Sequence, residues 1–170
     1  ASLHFDEAML QTLEAKGVSM ARLTLHVGLG TFAPIRVDSV EDHTMHSEWM
    51  EIPKTTVEAV ERAKIEGRRV IAVGTTVARA LESAADPNHP GRVRSGERNT
   101  DLFIYPPYTF RVVDALITNF HLPQSTLLML VSAFVDPEGL SGWTTLRAAY
   151  EFAIREGFRF YSFGDAMWIE

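Results

Sequence analysis

The sequence contains no cysteine, which excludes a disulfide framework and a thiolate-bound metal. It also lacks an apolar run able to cross a bilayer, which takes about 20 residues. The almost wholly apolar segment Leu127–Val131 is far shorter and is core material. Neither a secretory leader nor a membrane span opens the chain, so a cytoplasmic setting with no membrane partner is expected. Positive charge is in deficit, with 16 Lys and Arg against 22 Asp and Glu, and the net charge of -6 argues against coating nucleic acid by bulk electrostatics. There is no initiator methionine, and Leu3-His4-Phe5 follows the first residues with little room for a strand, so a fragment of a longer protein is expected.

What is present fits one α/β domain over residues 1–170: 46% of the residues are hydrophobic, enough for a sizeable core. The chain is organised around Val112–Phe134, which reads as a buried strand to about Phe120, a polar corner at Thr118, Asn119 and His121, and then an apolar helix opened by Pro123. Polar side chains at the carboxyl end of a buried strand sit where α/β sheets and barrels place ligands, which makes Asn119 and His121 site candidates. The bland alternative is that they satisfy stray backbone groups at a strand-to-helix corner. Asp114 interrupts the apolar run between Val113 and Ala115, and a carboxylate there requires a partner or a task.

Upstream, Phe5–Lys16 reads as an amphipathic helix stopped by Gly17, and Ser19–Val27 alternates as a strand that turns Arg22, Thr24 and His26 to one face. Gly28-Leu29-Gly30-Thr31 then forms either a plain turn or a loop open to a ligand. Residues 34–53 show no convincing regular element, but His43-x-x-His46-x-Glu48 lies within them. A substrate-binding loop explains that stretch better than a metal site, because the helical His-Glu-x-x-His geometry is missing. Thr55-x-x-Glu58 reads as a capping box opening a helix to Gly67, and Arg69–Val73 as a short buried strand. The strand runs into Gly74-Thr75-Thr76 and a helix over Val77–Ala85, with Arg79 in its first turn. Backbone amides and two hydroxyls at such a junction suit a carboxylate, phosphate or ribose; ordinary capping by Thr75 or Thr76 is the alternative.

Residues 88–99, with Arg92, Arg94 and Arg98, read as an exposed loop, and Asp101–Tyr105 as a short strand. Leu146–Ile154 marks a last helix and Phe158–Phe163 a last strand, followed by Asp165. Helix, glycine and strand recur over Glu14–Leu25, Ile65–Val73 and Ile154–Phe163. This predicts an α/β fold with a largely parallel or mixed sheet, open or curled into a barrel, with flanking helices.

Several separated stretches can then be read together: LHF at Leu3–Phe5, TLHVGLGTFAPIRV at Thr24–Val37, EDHTMHSEW at Glu41–Trp49, VIAVGTT at Val70–Thr76, VVDALITNFHLPQSTLLMLVSAF, and YSFGDAM at Tyr161–Met167. Together they resemble the S-adenosylmethionine:tRNA ribosyltransferase-isomerases of queuosine biosynthesis, and the likeness spans nearly the whole chain. The resemblance implies the carboxyl-terminal half of such an enzyme, with the amino-terminal half as a missing partner. It implies transfer of the ribosyl moiety of S-adenosylmethionine to 7-aminomethyl-7-deazaguanine at the tRNA wobble position, giving epoxyqueuosine with loss of adenine and methionine. S-adenosylmethionine is then a co-substrate, and no metal or further cofactor is implied.

Such chemistry asks for a base near the sulfonium carbon and an acid for departing adenine. His26 and His46 are the candidates for proton transfer, with Glu48 or Asp114 orienting one of them. Thr75, Thr76 and Arg79 would hold the carboxylate or ribose of the donor, and Asn119 and His121 would line the same pocket. The tRNA phosphates would meet either a patch of Arg68, Arg69, Arg92, Arg94 and Arg98 or, as favoured here, the missing half. The rival from another class is a non-catalytic nucleoside- or tRNA-binding fragment. A Rossmann-type methyltransferase is weaker still, because no helix directly follows Gly28-Leu29-Gly30.

Overall fold

The computed structural model describes residues 4–28, 35–139, 141–162 and 164–170, and these form five α-helices and six strands. Helix α1 (Glu7–Ala15) starts where the Asp6 side chain accepts the Met9 amide, and it buries none of its residues. Strand β1 (Thr24–Leu25) is much shorter than the alternation over Ser19–Val27 predicts. Strand β2 (Glu48–Ile52) falls where no regular element is expected, and it buries Glu48, Met50 and Ile52 on one face. Helix α2 (Lys54–Ile65) has Pro53 at its N-cap, so Thr55 lies inside the first turn and the expected capping box does not form. The Thr56 hydroxyl instead donates to the Arg22 carbonyl at 2.5 Å and ties α2 to the chain entering β1.

Strand β3 (Ile71–Val73) and helix α3 (Thr75–Ser83) meet at Gly74, whose φ of +97° is open to glycine at little cost. Strand β4 (Gly96–Thr100) corrects the reading of residues 88–99 as an exposed loop throughout. It pairs antiparallel with β2, Glu48 opposite Thr100 and Ile52 opposite Gly96, while Val93 is buried ahead of it. Conversely, Asp101–Tyr105 is not a strand, although Ile104 reaches the core. Strand β5 (Ala115–Asn119) and helix α4 (Thr126–Val135) appear as expected, with Ser125 rather than Pro123 supplying the cap: its side chain accepts the Leu128 amide. Helix α5 (Gly142–Arg155) follows, and the last strand is β6 (Ala166–Ile169) rather than Phe158–Phe163. Phe158 and Phe160 pack on the Phe120 ring instead of pairing their backbones.

The strands make two sheets, ordered β1-β2-β4 and β3-β5-β6. The first is antiparallel throughout, whereas the second joins a parallel β3–β5 pair to an antiparallel β6. The fold is therefore α/β with a mixed sheet, and among the described residues no barrel closes. Parallel character is confined to the β3–β5 pair, because after β5 the chain passes through two helices, α4 and α5, and returns through β6 in the opposite sense. Helix α3 packs against β1 and β2 of the first sheet and β3 and β5 of the second, so it joins the two sheets. Its small buried residues Ala78 and Ala80 let those strands approach, and one continuous core joins Met50 and Ile52 to Leu81, Leu116 and Val131.

Candidate functional site

The parallel pairing of β3 with β5 sets Val73 beside Ile117, so both strands finish at the same end of the sheet. The Gly74 amide donates to the Ile117 carbonyl at 2.8 Å, which joins the Gly74-Thr75-Thr76 junction to the Thr118–His121 corner. Gly74 is the N-cap of α3, and having no side chain it leaves the capping position without a side-chain acceptor. Capping by Thr75 or Thr76 is thereby excluded as the explanation of those hydroxyls. Thr75 is buried and Thr76 half-buried.

At the corner, Thr118 is completely buried and its hydroxyl lies 2.8 Å from His121 Nε2. The His121 amide donates to the Tyr150 hydroxyl oxygen at 2.7 Å, which fastens the corner to α5. Burial pushes the His121 imidazole down to about 4 and the Tyr150 phenol up to about 12. His121 is thus a neutral hydrogen-bonding group at neutral pH, able to orient a ligand but not to supply charge. The Asn119 side-chain amide donates to the Tyr161 carbonyl, and Tyr161 holds a φ of +62°.

A second group gathers where the other sheet meets α3. Glu48, read from sequence as part of a loop, points inward from the first position of β2 and pairs with Arg79, both side chains being almost completely buried. The Gly28 amide donates to Glu48 Oε1 at 2.6 Å, so one carboxylate joins β2, α3 and the end of the β1 segment. Burial holds the Arg79 guanidinium below its ordinary value, and Arg79 Nη1 is buried with no hydrogen-bond partner among the described residues. The segment Leu29-Gly30-Thr31 beyond Gly28 lies outside the described residues.

His26 and His46 are both exposed and each lies two residues along the chain from a member of this group, Gly28 and Glu48 respectively. The His26 ring packs at a tilt of 46° against Trp49, 4.6 Å between centroids, while the His46 side chain is exposed. Glu48 faces Arg79 rather than either histidine. His43 packs edge-on against Phe103, and among the described residues no group of three or more His, Asp or Glu is placed to hold a metal.

Asp114 is not brought to either group. It precedes β5, four residues before Thr118, roughly 13 Å away along an extended chain. There it accepts both Lys64 Nζ at 2.6 Å and the Val70 amide at 2.7 Å, the backbone-amide partner that its position demands. Asp165 is likewise taken up locally: donors from Arg159 hold its carboxyl down at about 2. The arginines do not converge on one patch, since Arg68 meets Glu66, Arg69 meets Glu170, Arg92 meets Glu61, and Arg98 donates to the Arg94 and Ser95 carbonyls.

Tyr150 has no role in the sequence reading, and the Gly28 amide, read there as part of a plain turn or a loop open to a ligand, donates instead to Glu48. Tyr150 falls there only within the helix read over Leu146–Ile154, and the choice of a side-chain acceptor by a backbone donor leaves no signal in the sequence. No helix among the described residues is long and apolar enough to cross a membrane.

A family model described as queuosine biosynthesis protein matches residues 1–169. Among solved structures, the crystal structure of an S-adenosylmethionine tRNA ribosyltransferase from Thermotoga maritima is similar at 40% identity and a TM-score of 0.74, over 99% of this chain and 51% of that one. The chain thus spans about half the length of that ribosyltransferase.

Proposed function

Because the chain belongs to the queuosine biosynthesis protein family, matched over residues 1–169, we propose that it forms part of an S-adenosylmethionine-dependent tRNA ribosyltransferase-isomerase. The reaction moves the ribosyl moiety of S-adenosylmethionine to 7-aminomethyl-7-deazaguanine at the tRNA wobble position and releases adenine and methionine, leaving epoxyqueuosine. In the chain itself, the observation that carries this reading is the Gly74–Ile117 hydrogen bond, which unites a helix amino terminus with a buried polar corner at one end of a parallel strand pair.

The donor is held there by Thr75, Thr76, Asn119 and His121, with the α3 amides directed at its carboxylate or ribose hydroxyls. Arg79, whose Nη1 is buried without a hydrogen-bond partner among the described residues, adds a donor on the same helix. The Glu48–Arg79 pair positions the Gly28 segment rather than moving protons. Proton transfer falls to His26 and His46, both open to solvent. Asp114, engaged with Lys64, supports the strand entrance. Such an enzyme works in the cytoplasm with the remaining half of its chain, and that half carries most tRNA phosphate contacts.

Adenine release tests the reading. The chain, together with the remaining half, is incubated with S-adenosylmethionine and tRNA bearing the aminomethyl-deazaguanine, against a control without tRNA. Release that depends on this tRNA and slows when His26 or His46 becomes Ala supports it; undiminished release in both variants removes the assignment of proton transfer. A second reading, a nucleoside- or tRNA-binding fragment without catalysis, is favoured by one observation, the coverage of only 51% of the matched ribosyltransferase. Binding of either substrate by the chain alone, without adenine release on adding the other half, would select it.

A further inference from the structure

The segment that follows α5 folds back onto the corner beyond β5, and its course turns on one residue. Tyr161 holds a φ of +62°, a left-handed conformation that glycine takes at little cost and a bulky residue takes only under strain. Two bonds to the corner keep it there. The Tyr161 amide donates to the Phe120 carbonyl at 3.1 Å, and the Tyr161 carbonyl accepts the Asn119 side-chain amide. The side chain gains little inside the fold in return. Phe158 and Phe160 pack on the Phe120 ring, but among the described residues Tyr161 meets no other ring and its hydroxyl makes no hydrogen bond. It is 46% exposed. Strain of this kind gathers at ligand clamps, where the ligand supplies the compensating contact.

The groups at this corner are polar and uncharged. Burial keeps the His121 imidazole neutral, and Asn119 spends its amide nitrogen on the Tyr161 carbonyl, which leaves its carboxamide oxygen to accept. The cation of the same segment, Arg159, is taken up by Asp165. A flat aromatic face beside neutral hydrogen-bonding groups suits a nucleobase rather than a phosphate. Asn119 lies two residues beyond Ile117, whose carbonyl accepts the Gly74 amide at the amino end of α3. Two residues span roughly 7 Å along an extended strand. A nucleoside with its ribose at the α3 amides therefore has its base within reach of Tyr161.

We propose that the adenine ring of the donor stacks on the exposed face of Tyr161, with its exocyclic amino group donating to the Asn119 carboxamide oxygen. Asn119 then serves twice, fixing the backbone that presents the ring and reading the edge of the base. Tyr161 sets the preference for a flat heterocycle in a site whose other groups hold sugar and carboxylate. The proposal rests on the reading above, in which S-adenosylmethionine is the donor.

The test is equilibrium dialysis of S-adenosylmethionine against the chain, alone and together with the remaining half, without tRNA so that the donor is not consumed. Tyr161→Gly relieves the positive φ and should keep or raise the melting temperature, yet it should weaken binding roughly ten- to a hundredfold, the worth of one stacked base. Tyr161→Leu keeps the bulk and the strain but has no π face, and should weaken binding to the same degree. Tyr161→Phe keeps the face and should bind within about threefold of the unsubstituted chain. S-methylmethionine, which has the sulfonium and carboxylate but no base, should not distinguish these chains. Should Tyr161→Gly unfold the chain, Tyr161→Leu against Tyr161→Phe decides. Equal affinity of Tyr161→Leu and the unsubstituted chain for S-adenosylmethionine overturns the proposal and leaves the donor reading standing, as does a loss shared by S-methylmethionine. A loss confined to tRNA binding also overturns it and assigns the ring to a tRNA base. If neither preparation binds S-adenosylmethionine, the donor reading itself falls and takes this proposal with it.

Discussion

Two carboxylates are buried against helix α3, and they are held in opposite ways. Glu82, on the helix itself, accepts the amides of Arg111, Val112 and Val113 at 2.9 to 3.0 Å and the Tyr108 hydroxyl at 3.3 Å. Its donors are neutral and mostly backbone. Glu48 reaches the helix from β2 and is met by the Gly28 amide and the Arg79 guanidinium. The first arrangement anchors a stretch of chain, because three consecutive amides ahead of β5 have their acceptor in one side chain. The second is a joint between side chains of two elements, built around opposite charges. Backbone donors cannot be substituted away with their acceptor, whereas two side chains can be removed together.

That contrast is open to measurement. Glu82→Leu strands the buried amides of Val112 and Val113 and should lower unfolding stability by about 4 kcal/mol in urea denaturation, at 1–3 kcal/mol for each buried group left unpaired. No substitution at Tyr108 should restore it. Arg79→Met takes the guanidinium away from a buried carboxylate and should cost about 3 kcal/mol, but adding Glu48→Leu should recover part of that loss. A double variant no more stable than Arg79→Met alone would show that the joint is not self-contained, and the contrast with Glu82 would collapse.

The same contrast marks what was legible in the sequence. The strand entering Thr118-Asn119-His121 and the strand–Gly-Thr-Thr–helix junction could be read because apolar runs and glycine write them into neighbouring side chains. Their adjacency follows only from the parallel register of β3 and β5. Glu48 was read as part of a loop since a charged residue at an inward strand position breaks the apolar alternation that Met50 and Ile52 continue. Its partner Arg79 is too far along the chain for any local spacing to reveal. Gly96–Thr100 carries no apolar residue at all, so β4 owes its place to backbone pairing with β2, which leaves no mark in side-chain pattern. Phe158–Phe163 erred in the other direction, its aromatic residues supplying packing around Phe120 without a ladder. The capping box does not form because Pro53 takes the N-cap of α2, two residues ahead of Thr55.

The corner beyond β5 offers a third kind of burial, in which charge is avoided. The His121 value is lowered to about 4 by burial, from 6.5 in the unfolded chain. The unfolded state therefore takes up a proton first as pH falls. The stability from keeping this imidazole neutral is fully present above about pH 6.5 and is lost progressively down to about pH 4, roughly 3 kcal/mol in all. His121→Gln keeps a hydrogen-bonding side chain near Thr118 but cannot titrate, so its melting temperature should fall less between pH 7 and 4 than that of the unsubstituted chain. Parallel pH profiles for the two would mean that the corner is wetter than its burial indicates.

Asp114 gives the smallest effect and the sharpest control on the first comparison, because it too is met by a backbone amide and a cation, in a different setting. Its side chain is 37% exposed and that of Lys64 26% exposed, so water competes for every contact. An ion pair in that environment contributes only about 0.5 kcal/mol, and the hydrogen bond from the Val70 amide about as much again. Asp114→Ala should therefore cost about 1 kcal/mol, and Asp114→Asn, which keeps an acceptor for Val70, about half of that. High salt should erase the difference between the unsubstituted chain and Asp114→Asn, while leaving the cost of Arg79→Met intact. In the assembled enzyme Asp114→Ala should leave the rate of adenine release and its pH profile unchanged. A loss of turnover at unchanged stability would move Asp114 from the strand entrance into the chemistry, and would mean that proximity to the Thr118–His121 corner is not what selects the working groups.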